Sequence, residues 1–269
     1  MPRLRRVNES LQKLIRTVQS ELYFLKQAKD ALYFHGRRLL RRPSDDDFCA
    51  LRFIPEDLPG CFVDVGANHG QSIESIRLFK PRSRIVAFEA NETLARKLQR
   101  RYAGDPAITV HAHGLADERQ SRVLFVPVYK GFVYDGLASF DRESAELWLG
   151  PRTLFFFSPR RLKLLETRCT TERLDEMGLD PLFIKIDVQG FEYQVIRGGL
   201  ETIGRCDPVL MIEALEASPP LVELTRRLGY RRYLFDETGF YPSDAPGGVN
   251  SILMTSRRAN AVTRSRRPD

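Results

Sequence analysis

Cysteine is scarce, with four residues in a chain of 269. Cys49, Cys61, Cys169 and Cys206 form no Cys-x-x-Cys pair, so neither a zinc site nor a disulfide framework is indicated and no metal ligand is assigned. Cys61 and Cys206 lie in apolar, strand-like contexts where buried thiols are ordinary. Long apolar runs are missing as well. The densest, Leu154 to Phe157, falls far short of the ~18 residues that a membrane span requires. The basic N-terminus lacks the apolar block and small-residue cleavage site of a secretory signal, and the expected location is the cytoplasm. What the chain does have is 42% hydrophobic residues, enough to bury a substantial core.

Positive charge is confined to the ends. Residues 1–43 carry +8 and residues 256–269 carry +4, leaving −5 on the 212 residues between them. An enzyme of nucleic acids would spread basic residues over the face near its site, so no nucleic-acid partner is expected. Segment 9–33 reads as a helix: Leu11, Ile15, Val18, Leu22 and Leu25 recur at 4-3 spacing, Lys29 interrupts, Leu32 resumes, and Asn8 is a candidate N-cap. Residues 1–43 therefore read as a basic helical extension. Its stripe suits self-association or packing on the chain's own surface, and the basic cluster at 37–42 suits peripheral contact with anionic headgroups. The Arg-rich tail 256–269 reads as disordered.

Within 44–255, strands and helices alternate. Strands are expected at Cys61–Val65, Arg84–Phe88, Ala107–Ala112, Leu182–Asp187, Val209–Glu213, Tyr230–Phe235 and Ser251–Thr255. Helices are expected at Ser72–Phe79, Glu92–Tyr102, Glu192–Arg197 and Pro219–Leu228. Continuous apolar strands of this kind imply an α/β fold, a mainly parallel sheet covered on both faces. Between residues 118 and 181 the alternation breaks. Two short strands (Arg122–Val126 and Leu137–Phe140) stand among Tyr129, Phe132, Tyr134, Trp148 and Phe155–Phe157, a pattern suited to a lid or substrate-recognition insertion.

Ligands of such sheets bind beyond the carboxyl ends of the strands, and the chemistry-bearing residues cluster there. Phe62-Val63-Asp64-Val65-Gly66-Ala67-Asn68-His69-Gly70 runs from strand to glycine turn to helix. Its acid precedes the first glycine and its spacing is G-x-x-x-G. A dinucleotide site instead needs G-x-G-x-x-G facing phosphate, which counts against a nicotinamide oxidoreductase. A carboxylate in this place suits a cationic ligand such as S-adenosylmethionine. Glu89, at the end of the next strand with Ala90 and Asn91, suits two ribose hydroxyls, and Gly114-Leu115-Ala116-Asp117 follows the third strand, where an adenine would lie. Lys185 and Asp187 face the same side of the fourth strand. Asp187 and Glu213 end the fourth and fifth strands and, as a pair across a cleft, can orient or deprotonate a hydroxyl. His69 is a further candidate base.

Taken in order, Phe62–Gly70, Ala87–Asn91, Leu115–Asp117, Leu137–Ser139, Ile184–Glu192 with Val195–Gly198, and Asn250–Leu253 make the stretch 60–255 resemble the FkbM family of S-adenosylmethionine-dependent methyltransferases. The resemblance implies a class I, Rossmann-like fold with seven strands, the last antiparallel to the rest, and O-methylation of a hydroxyl on a sugar, glycolipid or natural product. It implies cofactor contacts from Asp64, Gly66, Ala67, Asn68, Gly70, Glu89, Ala90, Asn91, Leu115, Ala116 and Asp117, and a methyl-transfer cleft bordered by Asp187. Two positions depart from the family pattern: Gln189 replaces the usual Glu, and Ala90 the usual Pro. A non-catalytic scaffold on the same fold is the alternative, against which Asp64, Glu89 and Asp187 stand together.

Overall fold

A computed structural model describes residues 13–14, 16–18, 42–245 and 249–264. In chain order the elements are β1 (Cys61–Val65), α1 (Gln71–Phe79), β2 (Ile85–Phe88), α2 (Glu92–Tyr102), β3 (Ile108–His111), β4 (Gly114–Leu115), β5 (Gln120–Tyr129), β6 (Phe132–Val133), α3 (Arg142–Leu147), β7 (Leu162–Glu172), β8 (Pro181–Ile186), α4 (Glu192–Arg197), α5 (Leu200–Cys206), β9 (Val209–Glu213), α6 (Pro219–Arg227), β10 (Arg231–Phe235), β11 (Phe240–Pro242), β12 (Asn250–Met254) and α7 (Ser256–Arg264). A 3-10 segment, Asp46–Phe53, precedes β1.

The chain divides into two compact units. One comprises residues 40–121 and 169–269, the other residues 1–39 and 122–168. The first is built on a sheet of order β11-β10-β12-β9-β8-β1-β2-β3. Strands β3, β2, β1, β8 and β9 are mutually parallel, and β12 runs antiparallel between β9 and β10. The sheet has eight strands rather than seven, because β11 folds back on β10 as an edge hairpin.

Side-chain alternation divides the core into two layers. Phe62, Ala87, Phe183 and Met211 pack against Ile73 and Ile76 of α1, Leu98 of α2, Val262 of α7 and Phe48 and Leu51 of the 3-10 segment. Val63, Val86, Ile184 and Leu210 pack against Val195 and Ile196 of α4, Ile203 of α5 and Leu221 of α6. Leaving aside three alanines and Cys61, the layers bury seventeen and eighteen large apolar side chains, worth roughly 1.5–3 kcal/mol apiece before chain entropy is subtracted.

Several expectations need correction. Cys206 closes helix α5 and is half-buried; the apolar strand context holds for Cys61 alone of that pair. The tail is helical over Ser256–Arg264, because Val262 is buried and Arg257 and Arg258 reach Asp207 and its backbone. Leu137–Phe140 forms no strand, only a 3-10 turn and a single bridge between Ser139 and Phe125. In the second unit, Tyr129, Phe132, Tyr134, Leu149 and Leu154 form a small core. Helical residues Lys13 and Thr17 bind its backbone, at Pro151 O (2.6 Å) and Phe155 N–H (2.9 Å). Through these two residues the described part of the N-terminal segment contacts this unit. Leu11, Ile15, Leu22, Leu25, Leu32, Asn8 and the basic cluster at 37–41 lie outside the described residues, and Val18 is exposed. Among the described residues no helix is long and apolar enough to cross a membrane.

Candidate active site

A backbone collision that glycine alone avoids shapes the turn after β1. Gly66 has φ +87°, and a Cβ there would lie 1.9 Å from the carbonyl oxygen of Asp187. The ends of β1 and β8 are thereby drawn together, with Asp187 N–H donating to Val65 O at 3.0 Å. Gly66 and Ala67 N–H both donate to Phe88 O, tying the same turn to β2. Glu89 completes the tie: Oε2 accepts Asn68 N–H and Oε1 accepts Asn91 N–H, each at 2.7 Å. Both carboxylate oxygens are thereby held in place by backbone amides. Ala90 is half-buried beside it.

Asp64 does not face the open turn. It is wholly buried in the sheet face toward α1, where Ser72 Oγ–H donates to its Oδ2 at 2.5 Å. Lys185 is its register partner on β8. Burial pushes the Asp64 pKa up, and the Lys185 ammonium opposes that shift. Among the described residues, Asp64 Oδ1 and Asn68 Oδ1 are buried without a hydrogen-bond partner, and Asn68 holds a left-handed φ of +50°. Orphaned acceptors of this kind are costly unless something else satisfies them. Gly70, the N-cap of α1, also has positive φ, and a Cβ there would press on Leu98 and Tyr102. His69 sits between, half-buried, its carbonyl accepting from Arg101 at 2.7 Å.

Asn91 has a role the sequence reading did not assign. Its Oδ1 accepts from Thr93 and Leu94 N–H, making it the N-cap of α2. Leu115 and Ala116 are buried, and Ala116 O lies where a Cβ on Gly198 would fall, 1.8 Å away. Asp117 pairs with Arg197 at 3.4 Å. This loop is therefore locked to the end of α4. Sequence reasoning missed the rings beside it: Phe88 stacks on His111 at 4.9 Å, and His113 lies 5.4 Å from Phe88. The His111-x-His113 spacing after β3 was the available signal. Burial lowers the His111 pKa, and His113 and Arg84 add to the effect.

Asp187 and Glu213 come together as expected, through a residue that was not expected. Gln189, at φ +52°, donates from Nε2 to Asp187 Oδ1 (3.0 Å) and to Glu213 Oε2 (2.9 Å). Lys185 Nζ lies 2.8 Å from Asp187 Oδ2. Burial disfavours the Asp187 anion, but Lys185 and the hydrogen bonds from Glu213 and Gln189 outweigh it and hold the carboxyl well below the usual carboxylate range. Burial and the adjoining Asp187 charge push Glu213 up to about 8. The pair titrates as a unit, one member ionised and the other protonated at neutral pH. Glu192 Oε1 accepts from Val188 and Gly190 N–H and fixes the loop that carries Gln189.

Residues 64–235 match the methyltransferase FkbM domain. A curated relative, AMB antimetabolite synthetase AmbE of Pseudomonas aeruginosa, is 33% identical over 161 residues, covering 51% of this chain and 7% of that protein. The chain thus spans a small fraction of the relative. Two solved structures are similar: methyltransferase FkbM from Methylobacillus flagellatus KT (19% identity, TM-score 0.44, 72% of this chain and 43% of that one) and precorrin-6y C5,15-methyltransferase from Geobacter metallireducens GS-15 (14% identity, TM-score 0.35, 76% and 82%). Because the family match runs from the β1 acid to the end of β10, well over half of its length, the chain belongs to the FkbM methyltransferase family.

Proposed function

We propose that the chain is an S-adenosylmethionine-dependent O-methyltransferase whose acceptor is a hydroxyl on a sugar, glycolipid or natural-product small molecule. The carrying observation is the Asp187–Gln189–Glu213 array, one ionised carboxylate and one protonated carboxyl bridged by an amide, beside the Gly66 turn. The residues suit the cofactor. Glu89 is an acidic group at the end of β2, held in place by two backbone amides, the buried Oδ1 of Asn68 lacks a partner, and the half-buried rings of His111 and His113, backed by the buried Phe88, offer a flat aromatic surface beside Glu89. When bound, S-adenosylmethionine supplies an electrophilic methyl on a cationic sulfur.

The chain's residues divide the remaining work. Asp187, kept ionised by Lys185, would accept a hydrogen bond from the acceptor hydroxyl, aim its lone pair and receive its proton. Its low basicity suits orientation more than prior deprotonation. Glu213, protonated at neutral pH, accepts from Gln189 at Oε2 and has an O–H to donate, and it would hold the acceptor from the other side. Alignment of this kind can be worth ~7–11 kcal/mol.

Titration calorimetry with S-adenosylmethionine and its demethylated product tests the reading. Binding is expected, and Glu89→Ala should weaken it at least about tenfold, since each charge-assisted hydrogen bond lost is worth about 1.5–3 kcal/mol. No heat from either ligand with folded wild-type protein would sink the cofactor assignment.

A further inference from the structure

The unit containing residues 1–39 and 122–168 presents a surface that its own core does not use. From Leu147 to Leu165 the sequence holds four cations (Arg152, Arg160, Arg161 and Lys163) and no acid. Large apolar side chains stand out in the same stretch: Phe156 is 93% exposed and Leu147 72%, with Trp148 and Phe155 more than a third exposed. The N-terminal helical residues join this face. Lys13 Nζ lies 4.5 Å from the centre of the Phe155 ring, and Arg16 lies 4.9 Å from that of Trp148. Leu14 and Val18 beside them are exposed as well. The neighbouring acids Glu146 and Glu166 are both bound by Arg142, and the exposed Asp141 and Glu143 stand at the start of α3; the stretch from Leu147 to Leu165 itself is purely cationic.

Phe156 is the most telling residue. Its φ is +53°, a left-handed backbone that is uncommon for a bulky side chain. Its surroundings fix that conformation: Tyr129 OH accepts from Ser158 N–H at 2.9 Å, and Phe157 stacks on the Tyr129 ring at 5.3 Å. With Phe157 turned inward, Phe156 is turned out. Strained backbone that aims a large apolar ring into water serves neither the turn nor the core, and such outliers accompany function.

We propose that this face docks on an anionic bilayer, with Phe156 and Trp148 among the headgroups and the surrounding Lys and Arg side chains against lipid phosphates. Aromatic rings interleaved with single cations are the composition of interfacial attachment, and each cation near an anionic surface adds to the attraction. An acidic protein surface would satisfy the cations but leave no place for so many rings projecting singly.

Sedimentation of the full chain with vesicles of phosphatidylcholine, with and without phosphatidylserine, is the test. Binding is expected with phosphatidylserine, reversed by salt. Phe156→Asn should weaken it at least about tenfold while folding as well as wild type, because Asn tolerates the left-handed backbone. Arg160→Gln with Arg161→Gln should also cost about tenfold on phosphatidylserine vesicles. The proposal is overturned if wild type stays in solution with both vesicles, or if Phe156→Asn binds as wild type does. It is equally overturned if wild type is a dimer that Phe156→Asn renders monomeric, since a second copy would then cover the face.

Discussion

Asp187 and Glu213 carry the same functional group, and their surroundings drive the two apart. Lys185 stabilises one anion, and that anion together with burial keeps a proton on the other. Asp187→Asn preserves shape and removes charge, so single-turnover methyl transfer should fall by about two decades or more while cofactor affinity stays within a few-fold; an unchanged rate would leave positioning as the entire catalytic device. For Glu213 the sign is set by linkage. Between the ordinary carboxyl range and about 8, the folded chain holds a proton that the unfolded chain has lost, so stability declines as pH rises through that window. Glu213→Gln should abolish this part of the slope, measured as urea midpoints across a pH series; an identical slope would mean that Glu213 titrates normally. Glu89, Asp187 and Glu213 were legible in the sequence because each closes an apolar run, and Asp64 because it is the one acid inside such a run, just ahead of a glycine turn. Their surroundings were not. That Asp64 turns to Ser72 and Lys185 depends on register between strands more than a hundred residues apart, and nothing local distinguishes Asn91 as a cap from Asn91 as a ligand contact.

At the scale of elements, the parallel strands β1, β2, β3, β8 and β9 and helix α2 could be read directly, since hydrophobic periodicity is local. The departures are elements whose support is remote. β11 exists as a partner for β10, the long β7 has alternating exposure with no apolar run, and α5 follows α4 after only Gly198 and Gly199. Helix α7 was read as disordered because its arginines suggest solvation. They are instead spent on one buried acid: Arg257 Nε donates to Asp207 Oδ2 at 2.9 Å, Arg258 Nε donates to Asp207 O at 2.6 Å, and Thr255 Oγ1 lies 2.8 Å from Oδ1. Deleting residues 256–269 removes the buried Val262 and leaves Asp207 with part of its shell. A loss of at least about 2 kcal/mol is expected in urea unfolding. An unchanged midpoint would make α7 a passive appendage.

On the scale of the whole molecule, the two compact units have separate cores and separate dependence on the N-terminus. The sheet unit takes its first core residue from Phe48, and Asp47 accepts from the backbone and side chain of Asn250 at the start of β12. A chain beginning at residue 43 keeps all of these contacts. It should therefore hold the sheet and the Glu89 site, and cofactor affinity is expected to match that of the full chain. The other unit should not be indifferent. Removing residues 1–42 strips Lys13 and Thr17 from the backbone of Pro151 and Phe155, takes Arg16 off Trp148, and breaks the bond from the Tyr134 hydroxyl to Arg16 O. Trp148 is the chain's single tryptophan, so its fluorescence reports on this unit alone. The shortened chain should show altered Trp148 emission and faster proteolysis around 148–156, with far-ultraviolet circular dichroism of the sheet unit and cofactor affinity retained. Unchanged emission and proteolysis would mean that the helix contacts contribute nothing to the order of this unit; loss of cofactor binding in a folded protein would place residues 1–42 in the function of the sheet unit after all.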